Sequence, residues 1–162
     1  MTNPRNRAIE GIRVGDTFSV TRTFTEMDVS RFAEMTRDYN PVHFDDRFAK
    51  AKGFNSRICH GLLVGSMFTE IGGQIGVLAS TVDLVFKKPV FLGDTVTCQW
   101  TFTEIDERSH AKAQVEFRNQ DGILVLTATV KGIIPGPLES AILKAMVEEG
   151  DPTNLLADRS AE

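Results

Sequence analysis

At 162 residues the chain has the length for a single core, since two full cores would leave each half marginal. Its hydrophobic content of 41% and charged content of 25% are ordinary for a globular protein. The net charge of −4, with Lys87-Lys88 the one adjacent basic pair, excludes the basic footprint of a nucleic-acid binder. No run approaches the roughly 18 consecutive apolar residues of a membrane span.

Residues 1–11 are polar and are expected to be loose. No apolar stretch follows Met-Thr-Asn-Pro-Arg-Asn-Arg, so a cytoplasmic location is expected and a secretory signal is not. From Asp16 to Thr25, Phe18, Val20 and Phe24 recur with a period of two among threonines, which predicts a half-buried strand. Asp28 reads as the N-cap of a helix with Val29, Phe32, Ala33 and Thr36 on one face. That helix ends near Asp38, because Pro41 disfavours helical backbone at Asn40. A short helical stretch, Asp45 to Ala51, follows His43.

Residues His60 to Gln74 carry Leu62, Leu63, Val64, Met67, Phe68 and Ile71 around most of a helix circumference. A helix apolar nearly all round must be buried, and about 12 residues are too few to cross a bilayer. Strands follow. Thr81–Phe86 alternates with Val82, Leu84 and Phe86 inward, and Lys87-Lys88-Pro89 marks an edge or bulge. Thr95–Glu104 places Val96, Cys98, Trp100 and Phe102 on one face, and Ala111–Arg118 does so with Ala111, Ala113, Val115 and Phe117. Asn119-Gln120-Asp121-Gly122 is a hairpin turn, and Ile123–Ile134 closes the run. Leu138–Glu149 reads as an amphipathic helix with Leu138, Ala141, Ile142, Ala145 and Met146 apolar. The tail from Asp151 is expected to be disordered.

One strand, helices, a buried helix and about four meandering antiparallel strands make an α+β domain. A curved sheet wrapped around that helix lets both bury their apolar faces, which is the hot-dog arrangement. The domain is expected over residues 12–135, with a C-terminal helix in 136–150 and a tail in 151–162. One helix per sheet leaves an open flank, so a homodimer with sheets joined edge to edge is expected. Cys59 and Cys98, far apart in sequence, are expected to be reduced.

The chemistry concentrates in Asp38-Tyr39-Asn40-Pro41-Val42-His43. On a continuous helix, Asp38 and His43 would point about 140° apart (five steps of roughly 100°). With Pro41 breaking the helix, both can turn to one cavity, and Asn40 can hold the turn through side-chain bonds to backbone. A carboxylate can take a proton from water, and an imidazole can hold or return one near neutral pH. His60-Gly61 opens the buried helix. Backbone N–H groups there are unsatisfied, and glycine admits a close carbonyl, so the position offers an oxyanion site. His43 and His60 lack ligand spacing, so no metal site is expected, and no phosphate-binding glycine motif implies a nucleotide cofactor.

The D-Y-N-P-V-H run, with F-D-D-R-F-A and then C-H-G-L-L-V-G-S, resembles the MaoC-like, (R)-specific enoyl-CoA hydratase family. The likeness runs from about Val14 to Ile134 and includes the Lys87 to Asp94 strand-turn. It implies Asp38 and His43 as the catalytic pair acting on one water, and Gly61 as the oxyanion-hole donor. It also implies Asn40 and Ser66 in support of the catalytic turn. The implied reaction is hydration of a trans-2-enoyl thioester to the (3R)-hydroxyacyl product, without a cofactor beyond the substrate's own CoA or acyl carrier protein. Lys87, Lys88, Lys52 and Arg57 are candidates for holding CoA. A dehydratase for a branched or dicarboxylic acyl-CoA, a hydroxyacyl-carrier-protein dehydratase, a thioesterase of the same fold and a non-catalytic acyl-CoA-binding module are the alternatives.

Overall fold

The computed structural model describes residues 3–156. A helix α1 (Pro4–Glu10) leads into strand β1 (Thr17–Thr23) and helix α2 (Glu26–Thr36). A 3-10 turn at Pro41–His43, helix α3 (Asp46–Ala51) and the central helix pair α4 (Gly61–Gly65) and α5 (Met67–Ile75) follow. Strands β2 (Leu78–Phe86), β3 (Thr95–Ile105), β4 (His110–Asn119) and β5 (Leu124–Ile133) then build the sheet, and α6 (Pro137–Glu148) closes the chain. The sheet is antiparallel in the order β1-β3-β4-β5-β2. It curves around the central helices, which is the hot-dog arrangement that the sequence pattern predicts.

The alternation in β3 and β4 translates directly into burial. Val96, Cys98, Trp100 and Phe102, then Ala111, Ala113, Val115 and Phe117, face the core with Phe18, Val20, Met67, Ile71 and Ile75. Burying each large apolar side chain contributes about 1.5–3 kcal/mol, so the concave face and the helix hold each other. Cys59 and Cys98 are both free thiols in this core, and burial pushes each up to about 12.

Strand β2 departs from expectation. It pairs with β5, not with its sequence neighbour β3, and so forms an edge of the sheet. Val82 and Phe86, expected inward, are exposed, and Leu84 is only half-buried. Alternation identifies a pleated strand but cannot supply its cover, and a sheet edge lacks a neighbour on one side. The β2 register shifts between Ala79 and Thr81, where the Leu78 carbonyl closes on Gly132; a β-carbon on Gly132 would sit 2.5 Å from that oxygen.

The helices and the two chain ends carry further corrections. The cap of α2 is Thr25, whose hydroxyl accepts from the Asp28 N–H; Asp28 lies inside the first turn and accepts from Thr25 N–H, a reciprocal box. The central helix is interrupted at Ser66, and its outward residue Leu62 is exposed rather than buried. Residues 3–11 are not loose: Asn3 caps α1, and buried Arg5 donates to the Gln74 carbonyl at the end of α5. Arg5 also pairs with Asp151, and Gln74 donates to the Thr153 carbonyl, so residues 151–156 are packed instead of disordered. Residues 1–2 and 157–162 of the two expected loose ends lie outside the described residues. Finally, α6 turns Ser140, Leu143 and Val147 inward, with Ser140 donating to the Ala8 carbonyl; Leu138, Ile142 and Met146 face out because α1 takes the other side of the helix.

Candidate active site

The site forms where α2 stops. Arg37 adopts left-handed backbone (φ 62°) and ends the helix, which throws Asp38 off the helix axis. The Asp38 N–H donates to Thr36 Oγ1, and its carboxylate accepts from the Asn40 N–H at 3.2 Å. Asn40 Oδ1 in turn accepts from the Val42 N–H at 3.2 Å, capping the 3-10 turn that presents His43. The break expected at Asn40-Pro41 therefore does what the sequence requires: it swings the two groups toward each other.

His43 is buried, and its Nδ1–H donates to the Ile58 carbonyl at 2.8 Å. A carbonyl only accepts, so this bond fixes the tautomer and leaves the Nε2 lone pair free as a base. Burial pushes the His43 imidazole below its ordinary value and His60 adds to this, whereas the Ile58 bond and the Asp38 charge act against it. His60 donates Nε2–H to the Asp38 main-chain carbonyl at 3.0 Å, and its ring stacks on His43 with centroids 3.8 Å apart.

Asp38, His43 and His60 each offer a ligand atom within 4.8 Å of the others, so the fold assembles what the sequence spacing kept apart. One nitrogen of each ring is already spent on a backbone carbonyl. The two rings lie face to face, with centroids 3.8 Å apart and planes tilted by 31°, whereas the ligands of one tetrahedral ion must each aim a lone pair at a common centre. The arrangement suits proton transfer better than metal ligation.

These groups border a cleft of about 450 Å³. Asp38, His43, Gly61, Lys87 and Lys88, all singled out from sequence, line it together. Lys52 and Arg57 do not: Lys52 lies over the Phe48 ring, and Arg57 is held by Glu26 and Asp46. Ser66 does not reach the catalytic turn either. Its hydroxyl donates to the Leu63 carbonyl at 2.6 Å, within its own helix.

The apolar walls, notably Phe54, Leu62, Phe86, Val90 and Leu126, went unrecognised in the sequence as cleft residues. Phe86 is the most consequential. A β-carbon at Gly61 would lie 2.5 Å from Phe86 Cε1, so the group that approaches this glycine is a phenyl ring, where the sequence reading expected only a carbonyl. Its position just before Lys87-Lys88-Pro89 was the available signal.

A curved sheet around a central helix, with a carboxylate and an imidazole at the helix entrance, makes a hot-dog domain that carries an acid–base pair on its cleft. A MaoC-like domain family model matches residues 13–121. The chain is 32% identical to the (R)-specific enoyl-CoA hydratase of Aeromonas caviae over 73% of its own length and 92% of that protein's. It is also 32% identical to the mitochondrial 3-hydroxyacyl-[acyl-carrier-protein] dehydratase of Arabidopsis thaliana, over 76% of this chain and 78% of that one. The solved structure of the (R)-hydratase from A. caviae involved in PHA biosynthesis superposes with a TM-score of 0.73 and 31% identity, covering 78% of this chain and 99% of the other. The chain belongs to the MaoC-like family. Among the described residues, no helix is long and apolar enough to cross a membrane.

Proposed function

We propose that the protein adds water across the C2=C3 bond of a trans-2-enoyl thioester to give the (3R)-hydroxyacyl product, and catalyses the reverse dehydration. The carrying observation is the juxtaposition of the Asp38 carboxylate and a tautomer-fixed His43 on one apolar cleft. In this reading both groups hold one water. As its oxygen bonds to C3, the pair takes a proton and negative charge moves to the thioester oxygen. The Gly61 N–H at the entrance of the central helix stabilises that oxygen, and the pair then returns the proton to C2. The sequence of steps consumes no cofactor. Asn40 supports the reaction by holding the Asp38–His43 turn, and the exposed ammonium groups of Lys87 and Lys88 meet the phosphates of the carrier.

The alternative of a dicarboxylic acyl group is less well supported. The cationic side chains on the cleft are Lys87 and Lys88, both exposed, while away from His43 and His60 its buried walls are Cys59, Val64, Val90, Val125 and Leu126. A second carboxylate inside would have no partner there, and burying one unpaired is costly.

The working unit in this proposal is a homodimer joined through β2. That edge exposes Leu78, Val82, Val85 and Phe86, apolar side chains that an isolated sheet edge does not ordinarily leave bare. Light scattering after gel filtration reads the mass directly, and a monomer at micromolar concentration contradicts this part.

Incubation with crotonyl-CoA tests the reaction. The expected result is loss of enoyl absorbance with appearance of (3R)-hydroxybutyryl-CoA on a chiral column. Release of free CoA without a hydroxyacyl product would instead establish a thioesterase. Comparing crotonyl-CoA with crotonyl-carrier protein distinguishes the two carriers.

A further inference from the structure

His60 is the least exposed ionisable side chain near the site, at 1%. It sits between Phe32 of α2, with ring centroids 5.0 Å apart, and His43, at 3.8 Å. Its Nε2–H reaches the Asp38 carbonyl, while its Nδ1 is buried without a hydrogen-bond partner. An apolar ring would fill this slot without leaving a nitrogen bare, so packing alone does not account for an imidazole here. What the imidazole adds is one donor, and that donor is spent on the main chain of Asp38.

We propose that His60 is a positioning residue that fixes both members of the acid–base pair at once, by tethering the Asp38 carbonyl and by supporting the face of the His43 ring. The inference rests on the hydratase reading above. His43 is thereby held at its edge by the Ile58 carbonyl and on its face by His60. Asp38 is held from three directions, by Thr36 Oγ1, the Asn40 N–H and His60. One ring then sets the separation of the reacting groups. The two imidazoles carry opposite tautomers, Nδ1–H on His43 and Nε2–H on His60, because each faces a carbonyl with a different nitrogen.

Long-range proton–nitrogen NMR on the native protein without substrate reads these tautomers, and the chain has only three histidines to assign. The expected spectrum shows His43 as Nδ1–H and His60 as Nε2–H. His60→Phe keeps a ring but removes the donor; kcat for hydration should fall by about 10²-fold, with KM little changed. His60→Gln, whose side-chain amide can again donate toward Asp38, should recover most of that loss. An Nδ1–H tautomer at His60, native kcat in His60→Phe, or equal losses in both variants would overturn the proposal. If the native protein hydrates no enoyl thioester, the functional reading fails by itself. The tautomer pair, and a changed His43 spectrum in His60→Phe or His60→Gln, then decide this inference independently.

Discussion

The ring of Phe86 rests on Gly61 so closely that no β-carbon fits between them. Strand β2 and the entrance of the central helix therefore meet at the point where the thioester carbonyl is proposed to bind. This contact favours glycine for a reason separate from its backbone N–H, since a β-carbon would have to displace the Phe86 ring.

A double-mutant cycle separates the two reasons. Gly61→Ala pushes the Phe86 ring aside and should lower kcat/KM for hydration by about 10- to 10²-fold. The three atoms nearest the added β-carbon all belong to Phe86, so Phe86→Ala in the same chain removes the collision. The double variant should regain much of the activity, because residues in contact are not additive. Strictly additive losses would show that the collision does not matter.

The pH dependence follows from His43. Burial holds its pKa below the ordinary 6.5, so the neutral, basic form persists further into acid than a free imidazole's would. The acid limb of kcat/KM should accordingly lie below pH 6.5. The same shift carries a stability consequence. Between the folded and unfolded pKa values the unfolded chain binds the extra proton, so this contribution is present above about pH 6.5 and is lost as pH falls through the folded value. Urea titrations across that window, on the native protein and on His43→Gln, should show a pH-dependent difference between the two. An acid limb above pH 6.5 contradicts the environment described.

At the opposite end of the central helix, Arg5 ties the end of α5 to Asp151, with both side chains almost fully buried. Arg5→Met strands the Asp151 carboxylate and leaves the Gln74 carbonyl short of a donor. Removing one partner of a buried pair costs far more than the pair contributes. Thermal unfolding should begin several degrees lower, while kcat measured well below that transition stays near the native value. An unchanged midpoint would mean that the N-terminal helix and the tail are dispensable.

The parts of this structure that were legible in the sequence are those where one local rule decides. The pleat period of β3 and β4 named their buried faces residue by residue, and Asn40-Pro41 named the break that turns Asp38 and His43 together. Other features depend on partners distant in the chain. Strand β2 alternates like its neighbours, yet its exposure follows from pairing with β5, which no local pattern encodes. Arg5 and Asp151, 146 positions apart, looked like loose ends because a polar segment is ordinarily solvated. Helix α6 shows its period in the sequence, but the side taken by α1, which leaves Leu138, Ile142 and Met146 outward, does not appear there. In the site, Lys52 and Arg57 had suitable charge but point to Phe48 and to acidic neighbours. Ser66 satisfies its own helix. His60 was recognisable as a turn residue, but its stacking on His43 exists only in the assembled fold.

The measurement closest to the centre of this account is the hydration rate of crotonyl-CoA by the native protein, Asp38→Asn and His43→Gln, each shown to be folded by circular dichroism. Asp38 is exposed, and asparagine can still accept from the Asn40 N–H, so this variant should fold normally. Losing a positioned acid or base costs about 10²–10⁴-fold, and both variants should fall into that range with (3R)-hydroxybutyryl-CoA as the residual product. Native rates in either folded variant would contradict the assignment of the Asp38–His43 pair.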